Sequence, residues 1–186
     1  MQNLFLDIET SGINPERHSI ISIGMVVSLR GLDDYQSFYR EIKHDEITIM
    51  PSSIEINHFD FTRNIDRVNL KQAQKEGVEF INRYYHAKDE IMPIGMNIGS
   101  FDMKFIQKQM PELAKRLGRR SVDLNSLIYL LSQKHSREFA QTKKSLSEEA
   151  EKRTRNLGLG IEKHNALFDA VFNLNLYIMI KESMFL

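Results

Sequence analysis

Carboxylates stand in three short segments of this sequence, far apart along the chain, and a histidine accompanies the last of them. Asp7 and Glu9 follow the first apolar run, Asp102 lies near the middle, and His164 and Asp169 lie towards the end. If the fold brings them together, four carboxylates and one histidine could hold two divalent cations and supply one general base. Such a site suits hydrolysis of a phosphate ester by water, because two ions stabilise the attacking and leaving oxygens.

Each segment taken alone also has an ordinary structural explanation. Asp7 and Glu9 would share one face of a strand, since side chains at i and i+2 point the same way, but two solvated acids at an exposed strand end fit as well. Asp102 suits the first turn of a helix, where acidic residues are common. His164 is one of six histidines, most of which should be surface or hydrogen-bonded residues. The catalytic hypothesis therefore depends on the combination.

The elements that must position these residues can be predicted from the apolar patterning. We expect strands at 3–8, 19–29, 37–42, 91–96 and 120–124. We expect helices beginning at Pro51 and over about 69–87, 101–110, 126–131, 138–153 and 164–180. The first three strands should form an antiparallel meander, with a turn at 31–34. The predicted fold class is α/β, a mixed β-sheet of about five strands flanked by α-helices, and 1–186 should form a single domain.

Length and composition set limits without naming an activity. The 186 residues are 41% hydrophobic and 27% charged, which fits one globular unit with a well-buried core. There is no cysteine, so disulfides and thiolate metal sites are excluded. No apolar run approaches ~18 residues and no basic segment precedes a long apolar one near residue 1. We therefore expect no membrane span, no secretion and a cytoplasmic location.

The net charge of zero hides an uneven distribution. Residues 104–163 contain fourteen lysines and arginines against seven acidic residues, so this segment is strongly positive and the remainder equally negative. A polyanion could bind the basic part while bound cations neutralise the acidic centre. A solvated helical surface explains the same charges equally well.

The three segments resemble the three motifs of a known enzyme family. Asp7-Ile8-Glu9-Thr10-Ser11-Gly12, Asn97-Ile98-Gly99-Ser100-Phe101-Asp102 and His164-Asn165-Ala166-Leu167-Phe168-Asp169-Ala170 are similar to the motifs of the DnaQ-like 3′–5′ exonucleases. The histidine five residues before the last aspartate is typical of the DEDDh branch, which includes proofreading subunits, oligoribonucleases and RNA-trimming enzymes. The resemblance extends from residue 3 to about 177 and implies the RNase H-like fold.

This resemblance assigns a role to each residue of the constellation. It implies that Asp7, Glu9, Asp102 and Asp169 are ligands of two Mg²⁺ or Mn²⁺ ions. Oxygen-only ligands suit these hard cations independently of the resemblance. It implies that His164 is the general base, for which an unperturbed pKa of ~6.5 is suitable near neutrality.

The resemblance also implies residues that bind substrate. Backbone groups of Thr10, Ser11 and Gly12 would cradle the terminal nucleotide, with Gly12 allowing close approach. Asn97 opens the second motif, and the chain departs from many family members in having an apolar residue directly after it. Phe101 could stack on a base, although burial in the core is the more usual role of such a residue.

The predicted function is metal-dependent 3′–5′ exonucleolytic hydrolysis of single-stranded nucleic acid with a free 3′ end, releasing nucleoside 5′-monophosphates, with DNA slightly favoured over RNA. An oligoribonuclease acting on short RNA is the first alternative. A catalytically inactive domain of the same fold that binds nucleic acid or a partner is the second. A homodimer, or a complex with a polymerase or a defence system, is left open.

Overall fold

The computed structural model describes residues 2–30, 34–63, 66–161 and 163–185. Strands and helices in this part of the chain follow in the order β1 (Gln2–Thr10), β2 (Ile20–Ser28), β3 (Tyr35–Lys43), α1 (Pro51–Asn57), β4 (Val68–Asn69), α2 (Leu70–Tyr84), β5 (Ile91–Gly95), α3 (Asp102–Gln109), α4 (Pro111–Leu117), β6 (Val122–Asp123), α5 (Leu124–Lys134), α6 (Phe139–Asn156) and α7 (Ala166–Phe185). Residues 31–33 of the predicted turn lie outside the described residues.

The strands form one mixed sheet in the order β4-β3-β2-β1-β5-β6. The pairs β1–β2 and β2–β3 are antiparallel, so the predicted meander is confirmed. β5 runs parallel to β1, and β6 runs parallel to β5. The carboxyl ends of β1, β3, β5 and β6 consequently lie at the same edge of the sheet. The predicted α/β class is confirmed.

Each face of the sheet has its own apolar core, and β1 contributes to both. Leu4, Leu6 and Ile8 pack into the core that α2, α3 and α4 cover. Phe5 packs into the opposite core, which α5, α6 and α7 cover. Because side chains alternate along a strand, Asp7 and Glu9 share the face of Phe5 and point towards the layer that contains α7.

Two short elements were not predicted from the sequence. β4 has two residues, too few to show a period-two pattern, and it pairs with the end of β3 directly before α2. α4 begins at Pro111, because proline at the first helical position ends one helix and starts another. The sheet therefore has six strands among the described residues, where about five were expected.

The last two helices are the longest of the described part, with 18 residues in α6 and 20 in α7. α6 packs against α5 and α7, and α7 packs across β1 and β2. None of the described helices has the length and apolar character needed to cross a membrane. The first turns of α7 carry residues of the third motif onto the sheet.

Candidate active site

Three carboxylates from the two ends of the chain meet where β1 ends. Asp7 and Glu9 on β1 and Asp169 on α7 offer oxygen atoms that all lie within 4.8 Å of one another. All three side chains are partly exposed. Asp169 reaches the group because α7 lies on the face of the sheet from which Asp7 and Glu9 project. Carboxylate oxygens at this spacing are the donor set that a hard divalent cation prefers.

Asp102 approaches the same strand from the opposite layer. It is the first residue of α3, whose next residues Met103, Phe105 and Ile106 are buried in the core on that side. Its Oδ1 accepts a 3.1 Å hydrogen bond from the backbone N–H of Ile8, between the two carboxylates of β1. Asp102 is 3% exposed and does not belong to the group of three that lie within 4.8 Å. Asp102 therefore lies next to the three carboxylates but approaches β1 from the opposite helix layer.

The four carboxylates resist ionisation in this arrangement. Burial, reinforced by Asp102, Asp169 and Glu9, raises the pKa of Asp7 well above its usual value. Burial is also the largest cause for the others, and it raises the pKa of Glu9 to about 9, that of Asp102 to about 7 and that of Asp169 to about 6. Bound divalent cations would compensate the negative charge of the ionised carboxylates, so the residues present fit a metal site.

The segment before α7 holds His164 in a defined backbone conformation. His164 adopts a left-handed φ of 63°, and its N–H donates a 3.1 Å hydrogen bond to Oδ2 of Asp169. Asn165 caps the helix, because its Oδ1 accepts a 3.0 Å hydrogen bond from Leu167 N–H. Burial, with help from the charges of Lys163 and His58, lowers the pKa of His164. The imidazole is therefore neutral near pH 7.

Gly24 on β2 determines how closely α7 can approach. It lies opposite Asp7 in the β1–β2 pairing. A Cβ at this position would overlap the backbone carbonyl of Ala166 and the backbone nitrogen of Leu167, at the start of α7. The absence of a side chain on Gly24 thus allows the first turn of α7 to rest on the strand, one turn before Asp169.

A cleft of about 460 Å³ opens beside Glu9 and His164. The sheet, the loop after α1 and the segment before α7 supply its other lining residues, which are Ser22, Tyr39, Glu41, Asn57, His58, Phe59, Asp60, Arg63, Gly160, Ile161, Lys163 and Asn165. The volume falls within the range of about 300–1,000 Å³ that small-molecule sites occupy. Glu9, one of the three clustered carboxylates, and the general-base candidate His164 thus border one ligand-sized space.

Arg67 anchors the loop that forms one wall of this cleft. Its Nε donates a 3.0 Å hydrogen bond to Oε2 of Glu41, and the two side chains are only 12% and 8% exposed. Its remaining nitrogens donate to the backbone oxygens of Phe61 and Asp60, at 2.9 and 2.6 Å. The guanidinium also lies over the Phe59 ring, 4.9 Å from its centre. A buried, paired arginine of this kind holds the loop against β3.

The three predicted substrate residues after Glu9 make contacts within the protein. Thr10 Oγ1 donates to Gly12 O at 2.7 Å, and Ser11 Oγ donates to Thr48 O at 2.7 Å. Ser11 N–H donates to Ser19 O, and Ser11 O accepts from Met50 N–H. The imidazole of His18 occupies the space beside Gly12 that a Cβ would need. These contacts fix the turn after β1. They also occupy the backbone N–H and C=O of Ser11 with partners inside the protein.

The other two predicted substrate residues lie in the second motif. Asn97 is exposed, has a left-handed φ of 56°, and accepts a 3.0 Å hydrogen bond at Oδ1 from Asn125 Nδ2. Its N–H donates to Oδ1 of Asp123 at 3.2 Å. Phe101 is partly buried, with its ring centre 5.2 Å from that of Phe105, and packs against the core beneath α3.

Sequence reasoning did not single out Asn57, although it touches the first motif. Its Nδ2 donates a 3.1 Å hydrogen bond to Thr10 O, its side chain opposes the rise in the pKa of Glu9, and it is 8% exposed. An asparagine at the end of a short helix gives no pattern that would indicate this contact. Gly24 was detectable in principle, because an isolated glycine within an apolar strand indicates close backbone approach.

Comparison with known families identifies the class of enzyme. The sequence model of a family described as Exonuclease matches residues 4–177, a range that contains all three motifs. The chain belongs to this exonuclease family. The predicted membership of the DnaQ-like 3′–5′ exonucleases, DEDDh branch, is confirmed, and the protein is an enzyme, a hydrolase acting on ester bonds of nucleic acid.

Individual relatives in this family have two kinds of name. The chain is 25% identical over 178 residues to the 3′-5′ DNA exonuclease Cap18 of Escherichia coli, covering 94% of this chain and 89% of the relative. It is 27% identical over 131 residues to an oligoribonuclease of Thiobacillus denitrificans, covering 67% of this chain and 71% of the relative. It is 29% identical over 136 residues to an oligoribonuclease of Vibrio campbellii, covering 68% and 73%.

Proposed function

We propose that this protein removes nucleotides one at a time from the 3′ end of single-stranded nucleic acid and releases nucleoside 5′-monophosphates. The observation that carries this proposal is the meeting of Asp7, Glu9 and Asp169 within 4.8 Å, beside a cleft that His164 also lines. Phosphodiester hydrolysis needs charge compensation at the phosphate and a base for the attacking water. The carboxylate group and the histidine can supply both.

Asp7, Glu9, Asp102 and Asp169 would hold two divalent cations, Mg²⁺ or Mn²⁺. Their donor atoms are all carboxylate oxygens, which these ions prefer. When bound, two such ions stabilise the charge on the attacking and leaving oxygens of a phosphodiester. The chain's own contribution is to bring the carboxylates together before substrate arrives, through the β1–α7 packing and the Asp102–Ile8 hydrogen bond.

His164 would accept the proton of the attacking water. Its lowered pKa keeps the imidazole unprotonated near neutral pH, which is the form that a general base requires. Its backbone N–H donates a hydrogen bond to Asp169, which links the proposed base to one of the proposed metal ligands. A fixed distance between the base and the reacting phosphate limits unproductive geometries.

The cleft beside Glu9 would receive the 3′-terminal nucleotide. Asn57 holds the backbone at Thr10 and borders the cleft, which is also lined by Arg63 and by Lys163, the latter paired with Glu151. The backbone of Ser11 is already hydrogen-bonded within the protein. We therefore assign binding of the terminal nucleotide to this cleft in addition to the turn at Thr10–Gly12.

We favour DNA as the substrate because the similarity to the DNA exonuclease extends over nearly the whole chain. The oligoribonucleases that also match the chain support the alternative of short RNA. An inactive binding domain is disfavoured, because a carboxylate or imidazole is present at all five catalytic positions. A cytoplasmic location, a single domain over residues 1–186, and a homodimer or a polymerase or defence-system partner stay predictions from the sequence.

The test is nucleotide release from 3′-labelled single-stranded DNA and RNA of the same sequence, with and without Mn²⁺. We expect metal-dependent release of labelled 5′-monophosphate, abolished by a 3′-phosphate block and indifferent to a 5′ block. Equal degradation of linear and circular single strands would mean endonucleolytic cutting and would overturn the proposal. Asp45→Asn, at an exposed acid outside the site, is the matched control for Asp102→Asn.

A further inference from the structure

We propose that exposed apolar side chains of α5 and α6 form an upstream subsite that stacks bases of the substrate strand on the 5′ side of the scissile bond. These residues, Tyr129, Leu130 and Phe139, are called the aromatic shelf below. The inference rests on the proposed function and deepens it, because it indicates strands of several nucleotides as the substrate class.

The aromatic shelf is unusual for the surface on which it lies. α5 buries Leu124, Ile128 and Leu131 against the core, so its opposite side faces solvent. Charged or polar residues are expected there, yet Tyr129 is 53% and Leu130 57% exposed. Phe139, the first residue of α6, is 37% exposed. Large apolar side chains grouped on an exposed face indicate a binding surface.

The side chains of the shelf line a shallow cleft that is open to solvent. It has a volume of about 410 Å³, and its lining is completed by Asn125 and Ser126. The rings of Tyr129 and Phe139 have centres 6.4 Å apart and planes inclined by 59°, so the two rings do not stack face to face. Bases stack on exposed aromatic rings of this kind whatever their sequence, because every base has a π-face.

The topology of the sheet aligns the shelf with the carboxylate group. β1, β5 and β6 are neighbours in the sheet and run parallel, so their carboxyl ends form one row. The carboxylates stand at the end of β1, Asn97 follows β5, and α5 follows β6 directly. Neighbouring strands are about 4.8 Å apart, so the row from β1 to β6 spans roughly 10 Å.

The terminal-nucleotide cleft lies on the other side of the carboxylates in the same row. Tyr39 and Glu41 of β3 line that cleft, and β3 is separated from β1 by β2. A strand whose 3′ end occupies that cleft and whose scissile phosphate meets the carboxylates can therefore continue past β5 towards β6. The aromatic shelf lies at the end of this path.

Hydrogen bonds join the second motif to the shelf. Asn125 borders the shelf cleft, and its Nδ2 donates to Asn97 Oδ1 at 3.0 Å. The N–H groups of both Asn97 and Asn125 donate to Oδ1 of Asp123, at 3.2 and 2.9 Å. The exposed Asn97, which follows β5, is thus hydrogen-bonded to a residue that lines the shelf cleft.

The charge near the shelf suits a polyanionic strand. Lys143 follows Phe139 by one helical turn, so the two side chains share a face of α6. The two helices that carry the shelf, α5 and α6, together hold six basic residues and three acidic ones. A single strand could place its bases on the rings and its phosphates beside this positive surface.

The experiment compares a dinucleotide with a dodecanucleotide of single-stranded DNA in the presence of Mn²⁺. Tyr129→Ala, Phe139→Ala and the double variant are measured beside Tyr129→Phe, which restores the ring. Leu29→Ala is the matched control, because Leu29 is 49% exposed and follows β2 at the opposite edge of the sheet. Loss of one stacked base should raise KM for the dodecanucleotide roughly 5- to 150-fold.

For the alanine variants we expect an unchanged kcat and cleavage of the dinucleotide at the same rate as by the unsubstituted protein. The Tyr129→Phe variant, which has the ring, should have the low KM of the unsubstituted protein. An unchanged KM for the dodecanucleotide in the double variant would overturn the subsite. An equal loss of activity on the dinucleotide and the dodecanucleotide would also overturn the subsite. So would a dimer in sedimentation that the double substitution converts to monomer, because this result would assign the shelf to self-association.

Binding measurements separate failure of this inference from failure of the proposed function. Fluorescence anisotropy of a labelled dodecanucleotide is measured with His164→Ala, alone and combined with Tyr129→Ala and Phe139→Ala. If the unsubstituted protein releases no nucleotide, yet removal of the two rings lowers strand affinity, the proposed hydrolysis is wrong and the subsite stands. If affinity does not change, the subsite is wrong whatever the activity.

Discussion

The Tyr39 hydroxyl accepts a 3.0 Å hydrogen bond from the side-chain amide of Asn165, the residue directly after His164. The same hydroxyl donates to Oε1 of Glu41 at 3.1 Å, and Glu41 in turn pairs with Arg67. One network of side chains therefore connects the loop wall of the cleft to the segment that carries the proposed general base. Burial and the Glu41 charge raise the pKa of Tyr39, so the hydroxyl keeps its proton and can donate.

Tyr39→Phe should lower kcat without a comparable rise in KM. The change removes the hydrogen bonds of the hydroxyl to Asn165 and Glu41 and leaves the ring in place, so Asn165 loses its hydrogen bond to β3. A hydrogen bond contributes about 0.5–1.5 kcal/mol, which corresponds to a roughly 2- to 12-fold loss of rate if it only positions His164. Steady-state kinetics on a single-stranded substrate, with Tyr35→Phe on the same strand as control, measure the effect. An unaltered kcat would show that the network is merely structural.

Asp102→Asn should abolish activity and leave the metal-free protein equally or more stable. The change removes one charge from a group whose members repel one another, and the amide can still accept from Ile8 N–H. Mg²⁺ or Mn²⁺ at about 100 times Kd should stabilise the unsubstituted protein by about 2.7 kcal/mol, and the variant much less. Thermal scans with and without metal compare the two proteins, with Asp45→Asn as control. Identical metal responses would argue against a shared site.

The metal-free protein should lose stability as the pH rises from about 5 to about 9. The folded-state pKa values of Asp169, Asp102 and Glu9 are raised to about 6, 7 and 9, so the folded protein binds more protons than the unfolded chain across this window. Stability therefore falls with each ionisation and levels off above the highest of these values. Urea midpoints in EDTA test this, and saturating Mn²⁺ should flatten the slope. A midpoint that rises with pH in EDTA would contradict the raised pKa values of these carboxyl groups.

His164→Ala should lower the rate by ~10²–10⁴-fold while metal binding persists, because positioned general bases contribute about that much. The unsubstituted protein should gain activity as the imidazole loses its proton, with a midpoint below the usual ~6.5 because the pKa of His164 is lowered. That rise should disappear in the variant once metal saturation is verified at each pH. His135→Ala, at an exposed histidine outside the cleft, is the control. Near-normal turnover with an unchanged pH profile would assign His164 a structural role.

The sequence predicted the parts of the site that local rules govern. Period-two alternation placed Asp7 and Glu9 on one face, and the family motifs identified Asp102 and Asp169 as their companions. The predicted meander and the main helices followed from apolar patterning, with ends that differ by a few residues because helix boundaries depend on packing. Each of these signals lies within a short stretch of the chain.

The parts that were missed depend on partners distant in sequence. Arg67, Glu41 and Tyr39 form one network only because β4 pairs with β3 and α7 begins beside it. Nothing in the local pattern at these positions distinguishes a buried pair from a solvated one. The contact between Asn57 and Thr10 likewise spans 47 residues of sequence. Such contacts are properties of the assembled fold.

The packing of α7 on β2 at Gly24 determines when, during translation, the residues of the site can come together. Asp7 and Asp169 are 162 positions apart, so a ribosome working at ~5–20 residues per second adds Asp169 roughly 10–30 s after Asp7. Until α7 has emerged and settled on Gly24, the growing chain has neither His164 nor Asp169 at the end of β1. The growing polypeptide therefore lacks the complete set of carboxylates, and with it the proposed hydrolytic site, through most of its own synthesis.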